Sequence, residues 1–143
     1  MNSIIELRKE HMRIEQILVR LEEFLDREKL DVEKIRKTFS ELFAYIKVHE
    51  EKEDEIFEEV SEFSKEMEES LAEINAVHQI IKGHVKVLKE ALVSDDVNYI
   101  RVALENDGRM FFAKLREHMH FEEKVFDSVL FMNNSKSEKK KTF

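Results

Sequence analysis

Phe43-Ala-Tyr-Ile-Lys-Val-His49-Glu-Glu-Lys-Glu53-Asp-Glu-Ile-Phe57 returns later in the chain as Phe112-Ala-Lys-Leu-Arg-Glu-His118-Met-His-Phe-Glu122-Glu-Lys-Val-Phe126. The two copies align without gaps and share Phe, Ala, His, Glu and Phe at five of fifteen positions, with apolar residues matched at Ile46/Leu115 and Ile56/Val125. The common core is HxxxE. On an α-helix, residues four apart lie on one face about 6 Å apart along the axis, so each copy offers an imidazole and a carboxylate to the same neighbour.

The surrounding chain supports a helical reading. Its 143 residues suit a single domain with a real core, and they contain no Pro and two Gly. Charged residues make up 39% and hydrophobic ones 42%, which favours amphipathic helices over strands. The seams predict four of them. Helix one runs from about Ser3, its N-cap, to Glu28 through Ile4, Leu7, His11, Ile14, Leu18, Leu21 and Leu25. Helix two follows Asp31 to about Phe63 through Ile35, Phe39, Leu42, Ile46, His49, Glu53, Ile56 and Val60. Helix three, from about Lys65 to Val93, carries Met67, Leu71, Ile74, His78, Ile81, Val85, Leu88 and Leu92. Helix four starts after Ser94-Asp95-Asp96 and reaches about Phe131 through Val97, Arg101, Leu104, Gly108, Phe111, Leu115, His118, Glu122, Val125 and Val129, with Gly108 marking an irregular or closely packed turn. Short links between long helices make an antiparallel up-down-up-down four-helix bundle over residues 1–132 the economical architecture. Residues 133–143, with four Lys against one Glu and little apolar content, read as a disordered basic tail.

Composition also excludes chemistry. Without Cys there is no thiolate metal site, no iron–sulfur ligation and no thiol nucleophile. A net charge of −8, concentrated outside the basic tail, disfavours nucleic acid as a partner. No secretory h-region or membrane-length apolar run is present, so the expected location is the cytoplasm, without a membrane partner. Phosphate-cradling glycine loops and dinucleotide fingerprints are missing.

The seams sort the histidines. His11, His49, His78 and His118 each take a seam position, one per helix, whereas His84 and His120 fall off the seams and read as surface residues. Glu53 and Glu122 occupy seam positions where Leu or Ile would otherwise stand. Depth from the turns puts His11 level with His49 and Glu53, and these level with His78. It leaves His118 and Glu122 about six residues, roughly 9 Å, too deep for His78. A longer link after Val93, or an unwound first turn of helix four, is required to absorb that difference.

One buried unpaired charge costs several kcal/mol, against a total stability of about 5–15 kcal/mol for a domain. Ion pairing between protonated His and Glu satisfies two of the four histidines, while metal satisfies all six groups at once. Zinc in a closed site takes four ligands, so six N/O ligands in two similar halves favour a dinuclear centre, with iron or manganese preferred by ligand type.

In this order, one unit per helix, His11, His49xxxGlu53, His78 and His118xxxGlu122 resemble the hemerythrin-like (HHE cation-binding) non-haem di-iron family over residues 3–131. The resemblance implies two iron ions bridged by an oxo or hydroxo group, with manganese or zinc as possible substitutes. His11, His49, His78 and His118 become terminal ligands and Glu53 and Glu122 bridging carboxylates. It further implies binding of dioxygen or a related diatomic such as nitric oxide for sensing, storage or delivery, rather than enzymatic turnover. Lys82 stands where oxygen-carrying members have a second His on helix three, and their last pair is HxxxxD. The chain is closer to members with four His and two Glu. Iron handling, repair of iron centres or peroxide turnover at the same site is the alternative within the metal class. Outside it stand a structural bundle and a phosphotransfer domain using His78. Glu15, Glu50 and Glu123 read as rim acids, with Glu15 as the alternative extra ligand four residues after His11 and Glu50 and Glu123 as alternative supports beside the ligands. Phe43, Phe57, Phe112 and Phe126 read as core with a second use as a dry sleeve around the irons.

Overall fold

The computed structural model describes residues 2–60 and 64–141, with side chains described for residues 3–60 and 64–132. All regular structure among them is helical: α1 (Asn2–Leu25), α2 (Val32–Val60), α3 (Lys65–Leu92), α4 (Val97–Ala103), a π-helical turn (Leu104–Gly108) and α5 (Arg109–Lys141). Continuous with one another, α4, the π turn and α5 build the fourth rod of a helical bundle. In it α1 packs on α2 and α5, and α3 packs on α2 and α5.

The chain stops and starts its helices with local side chains. Asp31 Oδ1 accepts from Lys34 N at 3.2 Å, Ser64 Oγ from Met67 N at 3.0 Å, and Asp96 Oδ1 from Asn98 N at 3.0 Å, each filling a donor that a helix N-terminus leaves open. Ser3 lies inside α1 rather than capping it, because the helix already begins at Asn2. Phe63, expected at the end of helix two, lies outside the described residues, as do Met1, Ser61, Glu62, Thr142 and Phe143. The expected disordered tail carries helical backbone as far as Lys141. With no Gly or Pro after Gly108, the sequence offers α5 no stop signal, and its Lys and Glu are good helix formers.

Neither device expected for the depth mismatch is used. The link after Leu92 stays short, and the first turn of α4 is capped rather than unwound. Instead α4 overhangs the end of α3 and lies against the α1–α2 link. There the Arg101 guanidinium donates to the carbonyls of Glu28 (2.7 Å) and Arg27 (3.4 Å). Gly108 then draws level with Leu88: a Cβ on Gly108 would stand 4.0 Å from Leu88 Cδ2. From that pair, His78 lies ten residues back and His118 ten forward, so the depths agree below the π turn. Upstream of it the seam shifts by one residue. Ile100 and Ala103 are buried, whereas Val97 is 49% exposed, because the extra residue of a π turn rotates the face by about 100°.

The interior is two apolar clusters, not one. Ile14, Leu18, Phe39, Leu42, Ile46, Ile81, Phe111 and Leu115 belong to the first, and Ile4, Leu7, Phe57, Leu71, Ile74, Val125 and Phe126 to the second. On every rod the boundary between them falls at the His or HxxxE positions.

Candidate metal centre

All six sequence-derived residues meet in that boundary layer, and all are buried: His11 5%, His49 4%, Glu53 0%, His78 3%, His118 5% and Glu122 1% exposed. The rings pair by hairpin, His11 with His49 at 4.7 Å between centroids and His78 with His118 at 4.8 Å. Between the pairs lie the two carboxylates. Nε2 of His49 stands 2.9 Å from Glu53 Oε1, and that of His11 3.2 Å from Glu122 Oε1. His118 Nε2 is 3.4 Å from Glu122 Oε1, and His78 Nε2 is 3.7 Å from Glu122 Oε2 and 3.8 Å from Glu53 Oε1.

Two donor groups able to hold a metal ion result among the described residues. One consists of His11, His49, Glu53 and Glu122, the other of His78, His118 and Glu122, with the donor atoms of each group within 4.8 Å of one another. Glu122 belongs to both.

The proton inventory is what makes these groups a cation site. His11 donates from Nδ1 to Glu123 Oε1 at 2.9 Å, and His49 from Nδ1 to Glu10 Oε1 at 2.8 Å. Each bond fixes the tautomer and turns the Nε2 lone pair toward the carboxylates. His49 Nε2 and Glu53 Oε1 lie 2.9 Å apart but out of line for a hydrogen bond, and these two atoms, Glu53 Oε2, the Nε2 atoms of His78 and His118, and Glu122 Oε2 are buried without an aligned hydrogen-bond partner. Leaving one such group unsatisfied costs about 1–3 kcal/mol, and here they face one another across one layer. A divalent cation is the group that lone pairs of this kind satisfy together.

Electrostatics follow the same division. Burial, aided by the positive fields of His49 and Lys82, lowers His78 to about 4, and burial with the neighbouring imidazoles lowers His118 to about 3. Both are neutral at physiological pH, as metal ligation requires. Burial also lowers His11, whereas at His49 the opposing carboxylates Glu53 and Glu10 outweigh burial and raise the value. Glu53 is raised by burial.

Around the six, the rim acids separate. Glu15 binds the Arg116 guanidinium at 3.0 Å and takes no part in the layer. Glu123 supports His11 and is itself held by Arg8 Nε at 3.0 Å. Glu50 is buried rather than at a rim, and burial together with the Glu53 charge raises it to about 7. Sequence reasoning missed Glu10, whose carboxylate also accepts from Lys52 Nζ at 2.6 Å. The available signal was its place directly before His11, which points it sideways from the seam toward α2. Of the phenylalanines, Phe126 stacks on His11 at 5.4 Å and Phe57 on Phe126 at 5.9 Å, while Phe43 and Phe112 belong to the apolar cluster beyond the layer.

The remaining histidines are not in the layer. His120 is exposed, as is its neighbour Glu117, and His84 is half-buried with its ring 6.4 Å from that of Phe111 rather than fully on the surface. Phosphotransfer requires an exposed acceptor, and His78 is buried. No helix of the described residues is long and apolar enough to cross a membrane.

Neither curated proteins nor solved structures gave a match to this chain. The family model for the hemerythrin HHE cation binding domain matches residues 2–128, a span that includes all six layer residues. The chain therefore belongs to the hemerythrin HHE cation-binding family.

Proposed function

We propose that this protein holds two non-haem iron ions in the layer and binds dioxygen, or a related diatomic such as nitric oxide, for sensing, storage or delivery. His11 and His49 would hold one ion and His78 and His118 the other, with Glu122 placed to serve both and Glu53 grouped with the first pair, in an up-down-up-down bundle working in the cytoplasm. The observation that carries this reading is the set of six buried, unpartnered acceptor atoms on His49, Glu53, His78, His118 and Glu122. The donor set of four imidazoles and two carboxylates suits iron or manganese better than a closed four-ligand zinc site.

When bound, ferrous iron supplies reversible one-electron chemistry toward a diatomic ligand. The chain supplies the rest. Imidazoles would supply nitrogen lone pairs, the two carboxylates would offset half the charge of two divalent ions, and Glu10 and Glu123 hold the protons of His49 and His11 away from the centre. The apolar clusters on either side, with Phe126 against His11, keep bulk water from the layer. Small molecules have two approaches. A hollow of about 240 Å³ between α3 and α5 is lined by Val77, Lys114 and His118, and a groove between α1 and α5 by His11, Met12 and Met119.

The test is anaerobic reconstitution with ferrous iron, then oxygen, then deoxygenation, followed by absorbance. Two irons per chain and a spectrum that forms and reverses are expected. A folded protein that takes up no iron overturns the metal reading, and immediate irreversible oxidation overturns carriage and sensing.

A further inference from the structure

The chain is two similar hairpins, so every residue beside a ligand has a counterpart. His49 and Glu123 in one register answer to His118 and Asp54 in the other, and Glu10 before His11 answers to Val77 before His78. The structure shows that these counterparts do not do the same job. Glu10 Oε1 accepts from His49 Nδ1 at 2.8 Å, while Val77, with no acceptor to offer, leaves His118 Nδ1 buried and without a partner. Glu123 accepts from His11 Nδ1 at 2.9 Å, while Asp54, a methylene shorter, is exposed, and no carboxylate of the described residues accepts from His78 Nδ1. The donor groups are unequal in the same sense, four residues on the His11/His49 side and three on the other.

From this we infer that the two metal positions are built to differ: the His11/His49 position is filled first and held, and the His78/His118 position is filled second and exchanges. Glu10 and Glu123 are the positioning residues that set the order, and Val77 is the residue that denies the second position the same support. The physical basis is the outer carboxylate. It fixes the ring's tautomer and angle and makes its free nitrogen a stronger donor, and losing such a partner costs about 10–100-fold in metal affinity. An unsupported imidazole must orient itself as the ion arrives. The inference rests on the dinuclear reading above, and the experiment separates the two.

Metal-free protein is titrated with cobalt(II) alone, followed by ligand-field absorbance and calorimetry, with far-UV circular dichroism confirming the fold of each variant. Wild type should show two phases of one ion each, separated by about tenfold or more in affinity. Glu10→Gln with Glu123→Gln should weaken the first phase by about 10–100-fold and close the gap. His118→Ala should remove the second phase and leave the first. Val77→Glu, which faces the hollow beside His118, should tighten the second phase by about tenfold, a gain that no general damage to the fold produces. Two equal phases in wild type, a first phase unmoved by the Gln pair, or a second phase unmoved by Val77→Glu overturns the inference while leaving a dinuclear site in place. No cobalt bound by the folded protein overturns both.

Discussion

The two copies of the Phe-Ala…HxxxE…Phe stretch reach the same layer by different routes. In the first hairpin, α1 and α2 leave their link at equal depth, and counting residues from the turn is enough to put His11 against His49 at 4.7 Å. In the second, α4 overruns the end of α3 and a π turn at Leu104–Gly108 corrects the face before α5 descends beside α3. His78 and His118 still meet, at 4.8 Å. Equally spaced ring pairs on unequal frames mean that the layer follows from the apolar clusters on its two sides, which include Ile81 and Leu115 on one and Ile74 and Val125 on the other, and not from the length of the connection.

The largest effects come from breaking the equality at the carboxylates. Glu122 serves both donor groups and Glu53 only one, so the two glutamates of the repeated motif are not interchangeable. After anaerobic loading with ferrous iron, Glu122→Ala should retain well under one metal per chain and Glu53→Ala close to one, with His84→Ala retaining the wild-type content. Metal analysis of the three variants checks the order. Equal losses from Glu53→Ala and Glu122→Ala would mean that both carboxylates bridge alike.

Next comes the frame. Deleting exposed Asn106 returns the π turn to α-helical spacing and rotates α4 by about 100°, which takes Ile100 and Ala103 off the core. Exposing a buried Ile alone costs about 1.5–3 kcal/mol, so the metal-free protein should lose about 2–3 kcal/mol in chemical denaturation. Metal content should hold, because everything from Gly108 downward keeps its register. A simultaneous loss of metal would show that α4 sets the depth of His118 after all.

These cases also mark what could be read from the sequence. Seam periodicity placed all six layer residues, because burying Glu53 or Glu122 at a Leu position is intelligible only beside a partner. The depth mismatch was visible as a number, but its solution was not: a π turn leaves no composition signal beyond Gly108, and α4 announces its shifted face only through Ile100 and Ala103. Glu10 and Glu50 were only partly legible for a related reason. Both sit one position from a ligand, where a helix of ideal period puts a residue at the edge of the buried stripe. Packing on the neighbouring rod decides between the rim and the interior.

A smaller difference between the copies lies one residue after each His. Glu50 and Met119 are equivalent in the repeat and equally buried, at 8% and 7% exposed, yet one carries a carboxyl. Burial and Glu53 raise the Glu50 value to about 7 from 4.5, so the folded protein holds that proton more tightly than the unfolded chain. Its contribution is therefore favourable below pH 4.5 and is lost as pH climbs through 4.5 to about 7. Glu50→Met, which copies the second repeat into the first, should raise metal-free stability by about 1–2 kcal/mol at pH 7.5 and by much less at pH 4. Thermal melts of both proteins at the two pH values measure it. A gain that is the same at both pH values would assign the effect to packing instead.

The smallest effect asks whether the irregular turn of the second hairpin belongs to its glycine. Gly108 has no positive φ, and a Cβ there would meet Leu104 at 3.6 Å and Leu88 at 4.0 Å, which is ordinary van der Waals contact. Nothing in that geometry requires glycine. The π turn follows from two faces that must both be buried, Ile100 and Ala103 above it and Phe111 and Leu115 below, which lie one residue out of phase on a regular α-helix. Gly108→Ala should therefore keep the turn and remove backbone freedom from the unfolded chain, raising stability by about 0.5–1 kcal/mol. For a domain of this size that is a rise of a few degrees in Tm, on the order of 2–4 °C. A fall in Tm would reverse the assignment, giving the glycine, and not the phase of the two apolar faces, control of how the second hairpin reaches the layer.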